Sequence, residues 1–443
     1  METRTMTRRK APSFNPLTYS LWGVFALTIF SGIFLMVHYV PTFVQAFSSV
    51  ERLNEEVSFG WMVRRLHAVG GNFLLLLILI HLLRVFYSGA YKIRPRLAWV
   101  LEALLFFLTV WTNFTGFFLP LSHSAFWGMT MTLSNFSTLP WIGNFIVEFF
   151  RGGKELGGTA LIRFYSMHIG SSALIVLILF GHYRLGITER KTEESDPPGL
   201  NLWTAVAVAL LLLAVVTFAS NWFTDSLKEA ANPTINPDRI SIPWYFLFLQ
   251  ETLSFFNIAY PVCSILLFLL ILFLIFSLPY IDRNPEQSLL MRPASLAVGS
   301  ALLVMAIYFT LLGTANARYG EKIIVPDKAL SASEIRGAQV FAEKNCAYCH
   351  QVFGREGRRE GPDMSVVKHQ LRSRDWIQRF IHNSRLYRPG TTMPRYEIPL
   401  EDLEALSAYI FSFDSQKRNF KAVERTQFFD DGFYIETQGE EGK

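Results

Sequence analysis

The chain runs to 443 residues, of which 51% are hydrophobic and 17% charged, with a mean hydropathy of +0.27. That apolar load excludes an ordinary soluble protein, and the length excludes one compact domain. Three cysteines (Cys263, Cys346, Cys349) exclude a disulfide scaffold. The formal charge of +5 says little by itself, because in so apolar a chain the distribution of Lys and Arg among the loops carries the information.

The basic opening METRTMTRRKAPSF runs straight into an apolar stretch without a small-residue cleavage site, so that stretch is expected to serve as its own insertion signal. Crossing a bilayer takes about 20 mostly apolar residues in a helix. Seven stretches qualify: A (19–40), B (62–87), C (97–120), D (161–186), E (202–221), F (260–280) and G (295–314). From about 327 onward charge rises and the long apolar runs stop. The expected fold class is therefore all-α: a polytopic bundle of seven transmembrane helices followed by a small soluble α-helical domain. Its parts are a four-helix core (1–190), a three-helix part (191–315), a linker (316–329), the soluble domain (330–413) and a tail (414–443) that is extended or partly ordered.

Loops on one side, from Arg4 through Arg84, Lys92, Arg184 and Arg292, hold thirteen Lys and Arg; those on the other, from Arg52 to Arg239, hold eight. The excess places the N-terminus in the cytoplasm and, after an odd number of spans, the soluble domain outside.

Span B carries His67 and His81, and span D carries His168 and His182, each pair 14 residues apart. Such a step turns a helix through about 1,400°, close to four full turns, and advances about 21 Å. Both histidines of a span then face one way, one near each membrane surface. If B and D pack antiparallel, His67 meets His168 and His81 meets His182, which is the geometry of two bis-histidine haems about 20 Å apart. A lone histidine in a span can instead bond to a neighbouring helix; four at matched spacing favour the haem reading. Arg64, Arg65, Arg84 and Arg163 lie where haem propionates need countercharge, and Gly70, Gly71, Gly116 and Gly170 are small enough for a porphyrin to approach.

The phrases GWMVRRLHAVGGNFLLLLILIHLLRVFYSGAYK and FWGMTMTLSNFSTLPWIGNFIVEFFRGGKELGGTALIRFYSMH resemble cytochrome b of quinol:cytochrome c oxidoreductases, over roughly residues 10–315. Four spans followed by three resembles the photosynthetic-type pair, cytochrome b plus its small partner subunit, here fused. The resemblance implies two non-covalent b-haems, held by His67 with His168 on the outer side and His81 with His182 on the inner side. It also implies a quinol-oxidising pocket outside, a quinone-reducing pocket inside and a homodimer.

Between spans E and F, Pro243-Trp244-Tyr245 matches the end of the family's quinol-oxidation motif, while Pro243 itself occupies the place of the motif's glutamate. Glu251, about two helical turns on from Tyr245, is the candidate substitute, with Asp238 behind it; the alternative is a Glu251 that only faces water. His123 stands near a pocket position and either lines it or sits at the surface. The photosynthetic-type relatives attach a further haem through a cysteine near the start of span A. No cysteine occurs there, so that haem is expected to be absent and Cys263 to be an ordinary packed thiol.

In the soluble domain, CAYCH supplies two thiols, Cys346 and Cys349, for thioether bonds and His350 as an axial iron ligand. The run from SASEIRGAQVFAEK to PLEDLEALSAYIFSF resembles a small class I cytochrome c, with Met393 as sixth ligand and Met364 as the alternative. His/Met ligation raises the potential relative to bis-histidine, which suits an acceptor at the outer surface.

Three functions follow for testing. The first is a membrane quinol:cytochrome c oxidoreductase subunit of the bacterial inner membrane, coupled to proton translocation, with a Rieske iron–sulfur protein as a separate chain and an external cytochrome or oxidase as acceptor. The second is a non-bifurcating b/c-haem conduit between the quinone pool and other redox proteins. The third, a non-enzymatic seven-span transporter or anchor, is disfavoured by the four matched histidines.

Overall fold

The computed structural model describes residues 16–137, 141–153, 156–184, 218, 227, 229–233, 242–257, 261–316, 322–326, 328–355, 357, 361–367, 373–388, 391, 393–413 and 420–424. Where no water is available, a backbone must satisfy its own hydrogen bonds, and the apolar stretches accordingly form helices. In chain order the membrane-type helices and their surface companions are α1 (Pro16–His38), α2 (Ala46–Glu55), α3 (Gly60–Tyr87), α4 (Arg96–Phe118), α5 (His123–Ser137), α6 (Gly143–Arg151), α7 (Gly158–Arg184), α8 (Trp244–Asn257), α9 (Pro261–Ile281) and α10 (Pro293–Asn316). Among the described residues, five helices are long and apolar enough to cross a membrane: Ser20–His38, Gly60–Tyr87, Arg96–Phe118, Gly158–Gly181 and Pro293–Thr314, corresponding to spans A, B, C, D and G. Span F contains a shorter apolar helix, Leu266–Ile281, and span E lies outside the described residues.

The chain divides into two compact units. The first comprises residues 1–120, 164–228 and 271–300. In it α3 packs along α1 and against α4. The C-terminal end of α3 is closed by a side chain from far along the chain. Arg292, 2% exposed, donates from Nη2 to the Tyr87 carbonyl at 2.8 Å and from Nη1 to the Phe86 carbonyl at 3.2 Å. Its Nε reaches the Gln287 carbonyl at 3.1 Å. The Phe86 and Tyr87 carbonyls lie in the last turn of α3, where a helix runs out of internal donors (Phe86 also accepts from the Gly89 amide at 3.1 Å), and a cation there complements the helix dipole. Beside it, Asp282 accepts from Lys92 Nζ at 2.7 Å, from Ser295 Oγ at 2.8 Å and from the Tyr91 hydroxyl. Burial pushes the Asp282 carboxyl up, but these three donors outweigh it and hold the group down at about 2.

The second unit comprises residues 121–163, 229–270 and 301–443. Here α5 packs against α6 and α8. The start of α5 is tied down by backbone bonds from His123 N to the Glu229 carbonyl (2.9 Å) and from Ala231 N to the Leu121 carbonyl (3.0 Å).

The same unit contains a small helical domain built of α11 (Ala332–Glu343), α12 (Cys346–Cys349), α13 (Met364–Val367), α14 (Arg374–His382), α15 (Ser384–Tyr387) and α16 (Leu400–Ser412). Ser331 opens α11 with a capping box, its hydroxyl accepting from the Glu334 amide while the Glu334 carboxylate accepts from the Ser331 amide. The first and last helices, α11 and α16, pack closely, with Phe341 edge-on to Tyr409 at 5.4 Å. Arg336 Nε clamps Asp402 across the pair at 2.8 Å. Two strands complete the domain. β1 (Lys322–Pro326) pairs antiparallel with β2 (Phe420–Glu424), Ile324 opposite Ala422. Ile323, Ile324 and Val325 enter the domain core, and the buried Tyr409 hydroxyl donates to the Ile324 carbonyl at 2.6 Å. Residues expected as linker and tail thus form a sheet on the helical domain.

Candidate functional site

His67 of α3 and His168 of α7 face each other with ring centroids 6.1 Å apart and planes 71° apart. Each ring is oriented in the same way. His67 Nδ1 lies 3.0 Å from the Thr28 carbonyl and 3.2 Å from Ser31 Oγ. His168 Nδ1 lies 2.8 Å from the Thr112 carbonyl and 3.3 Å from Thr115 Oγ1. With Nδ1–H donated to a carbonyl, the Nε2 lone pair of each ring is left to bind a metal. A metal–imidazole bond of about 2.0 Å on either side of one iron leaves two coordinated rings with centroids about 6 Å apart, so the observed spacing fits a bis-histidine haem. A Cβ on Gly32 would come within 2.9 Å of His67 Cε1, and one on Gly116 within 2.8 Å of His168 Cε1. Glycine at both positions keeps this cradle open.

Of the other glycines named from the sequence, Gly70 backs onto Thr28 and Gly71 onto Asn113, whereas Gly170 has open space around it. Thr28, Ser31, Gly32, Thr112 and Thr115 were not foreseen. A readable signal exists: T-I-F-S-G at 28–32 and T-N-F-T-G at 112–116 are one phrase, carried once by each helix that flanks a ligand.

The second pair is described on one side only. His81 lies on α3 with Nε2 3.6 Å from Glu102 Oε1, and its buried Nδ1 has no hydrogen-bond partner among the described residues. Glu102, on α4, is 6% exposed and paired with Arg94 Nη1 at 3.1 Å. His182 lies on α7 with its side chain outside the described residues. An imidazole with an unspent ring nitrogen fits a haem ligand.

Two of the arginines named for propionates are committed to protein: Arg64 Nε donates to Asn54 Oδ1 at 2.8 Å, and Arg163 donates to the carbonyls of Glu148 and Phe149. Arg65 stacks over Trp61 at 5.4 Å. Arg84 lies in the last turn of α3.

Pro243, Trp244 and Tyr245 open α8, Trp244 being 41% exposed. Glu251 does not face water: it is 5% exposed. A Cβ on Gly313 of α10 would meet both Glu251 Cγ and Leu247 Cβ at 3.0 Å, so a glycine there makes room for the carboxylate. His123 is buried rather than at the surface; its Nδ1 accepts from the Asn232 amide at 3.3 Å, and its ring lies edge-on to Trp127 at 6.4 Å. Asp238 lies outside the described residues. Cys263 is exposed at the start of α9, against the expectation of a packed thiol, because the N-terminal turn of that helix leaves its thiol on the surface of the chain.

In the small domain Cys346 and Cys349 begin and end the single turn α12, and His350 follows it in extended conformation. His350 Nδ1 lies 2.9 Å from the Pro362 carbonyl, again freeing Nε2, and burial pushes the imidazole pKa down. A Cβ on Gly361 would collide with the His350 ring. Both thiols, neither in a disulfide, and this oriented imidazole fit a covalently attached c-haem. Met393 packs half-buried against the domain core, its carbonyl accepting from Ser384 Oγ at 2.7 Å. Met364 is buried, 6% exposed, at the start of α13.

The comparisons with known proteins agree with this geometry. Residues 8–189 match the family described as cytochrome b/b6/petB, residues 230–327 match cytochrome b(C-terminal)/b6/petD, and residues 335–414 match cytochrome c. A solved structure titled "Hyperthermophilic respiratory Complex III" shares the fold with a TM-score of 0.60 and 24% identity, over 69% of this chain and 85% of that one. One polypeptide thus carries a cytochrome b/b6/petB part, a cytochrome b(C-terminal)/b6/petD part and, after them, a cytochrome c domain.

Proposed function

We propose that this chain is the catalytic subunit of a bc-type quinol:cytochrome c oxidoreductase in a bacterial inner membrane, its N-terminus cytoplasmic and its cytochrome c domain outside. The observation that carries the proposal is the facing pair His67 and His168, each held by a carbonyl at Nδ1 with glycines beside both rings. Two b-haems, one between His67 and His168 and one between His81 and His182, and a c-haem on Cys346, Cys349, His350 and Met393 supply one-electron chemistry when bound. Arg84, with the guanidinium nitrogens that Arg64 and Arg163 do not spend on protein, would supply countercharge to the propionates.

Quinol enters beside Pro243, Trp244 and Tyr245. Its oxidation releases two protons and two electrons. Glu251, buried against Gly313, accepts a proton and delivers it outward, and His123 fixes the loop at the pocket wall. One electron leaves to a Rieske iron–sulfur protein carried by another chain and from there to the c-type domain. The other crosses toward a quinone-reducing pocket on the inner side. The complex is a homodimer, and the final acceptor is an external cytochrome or oxidase.

The second reading, a non-bifurcating conduit, draws its support from Pro243 standing where the resembling motif has glutamate. Affinity purification of the tagged chain from membranes separates the two. A co-purifying Rieske protein together with quinol-dependent cytochrome c reduction supports the first. Quinol oxidation with no iron–sulfur partner present supports the second.

A further inference from the structure

Helix α6 carries apolar residues on two opposite sides. Gly143, Val147 and Arg151 form its buried stripe, and the helix packs against α5. Two residues along a helix are a rotation of about 200°, so the stripe of Trp141, Phe145 and Phe149 points the other way. That stripe is open. Trp141 is 98% exposed, Phe145 72% and Phe149 50%, with Ile142 exposed beside them and the Phe145 and Phe149 rings stacked at 6.5 Å. Trp141, just ahead of the helix, holds φ at 65°, a left-handed conformation that bulky side chains rarely adopt. A contiguous apolar patch of this kind marks an interaction surface.

The contacts at the end of α6 say what covers the patch. Residues 152–157 join α6 to α7, which is long and apolar enough to cross a membrane from Gly158 onward. Two contacts hold the end of α6 against the opening turns of α7. Arg163 Nη1 donates to the Glu148 and Phe149 carbonyls, with its guanidinium over the Phe149 ring at 5.7 Å. A Cβ on Gly152 would meet Thr159 Cγ2 at 2.5 Å. The end of α6 therefore lies at the level where α7 enters the bilayer, and Ile162, exposed on α7, extends the apolar surface. Aromatic side chains collect at that depth, and an amphipathic helix lying in the interface buries its apolar face there. Asn144 and Glu148, also exposed, supply polar groups beside the stripe. We propose that α6 is an interfacial anchor: Trp141, Phe145 and Phe149 insert into the boundary between headgroups and acyl chains and hold the α5–α6 pair down on the membrane. The occupant is lipid, because at this depth lipid covers any surface that protein leaves open. The inference depends on neither the haems nor the quinol reading.

The test is carbene labelling of the intact complex in phosphatidylcholine vesicles whose lipid carries a diazirine near the top of one acyl chain. Mass spectrometry of the unmodified chain is expected to find lipid adducts within residues 141–149 as well as in α7. Replacing Trp141→Ser, Phe145→Ser and Phe149→Ser together should remove the adducts from 141–149 and leave those in α7. Labelling of α7 with a bare 141–149 in the native chain overturns the proposal, and that result needs no variant to fold. A second measurement separates lipid from protein. Phe145→p-benzoylphenylalanine, illuminated in the same vesicles, should gain the mass of a phospholipid. Attachment to a second copy of the chain or to another polypeptide overturns the proposal by giving the patch to a protein partner. Absence of any adduct at that position overturns it as well, since the stripe would then face water.

Discussion

Each histidine of the facing pair spends one ring nitrogen on orientation and keeps the other for a metal. The Thr28 and Thr112 carbonyls take the Nδ1 protons, and Gly32 and Gly116 leave the rings room. Gly116→Ala would set a methyl 2.8 Å from His168 Cε1, closer than packed atoms tolerate. Pyridine haemochrome analysis of that variant should show b-haem reduced relative to c-haem, with the c-haem band unchanged; an unchanged ratio contradicts the assignment of Gly116 to the cradle. The meeting of His67 with His168 was legible in the sequence, because matched 14-residue steps on two spans point to an antiparallel pair. The residues that orient them were not, since Thr28 and Thr112 act through backbone carbonyls and lie 39 and 56 positions from their histidines. Glu251 was legible as a carboxylate near Tyr245, but its burial depends on Gly313, which no local pattern connects to it. Glu251→Gln should lower quinol-dependent cytochrome c reduction by about 10²-fold, the lower end of what a positioned base contributes. Haem spectra should not change, and full activity in the variant would remove Glu251 from the proton path.

Among the elements, α3 depends on a residue that arrives more than two hundred positions later. Arg292 closes its last turn through the Phe86 and Tyr87 carbonyls. Arg292→Ala removes the side-chain donor from the Tyr87 carbonyl, while the Phe86 carbonyl keeps the Gly89 amide; at about 1–3 kcal/mol for a buried group left unpaired, the thermal midpoint of the detergent-solubilised protein should fall. The neighbouring Asp282 gives a signature in pH. Its pKa lies near 2 in the fold and near 3.9 in an unfolded chain. A depressed carboxyl contributes stability that is complete above the unfolded value and lost as pH falls through the folded one. The thermal midpoint should therefore decline between about pH 5 and pH 2, and Asp282→Asn should flatten that part of the profile; an identical slope in both proteins contradicts the clasp. Helices were the legible elements, because about 20 apolar residues announce a span. The β1–β2 sheet was not, since Lys322–Pro326 and Phe420–Glu424 sit at opposite ends of the helical domain in sequence and no local pattern joins them.

At the scale of the molecule, the described residues of one polypeptide hold five helices able to cross a membrane, a facing histidine pair and a CxxCH domain. Holding β1 in the domain core leaves only residues 317–321 between α10 and the sheet. Five residues extend at most about 17–18 Å, so the cytochrome c domain is tethered close to the end of α10. The central claim, that one chain binds two b-haems and one c-haem, is tested most directly by pyridine haemochrome analysis of the purified protein. A b-to-c ratio of two to one is the expected result. A c-haem with no b-haem beside it would contradict the account, however well the helices match.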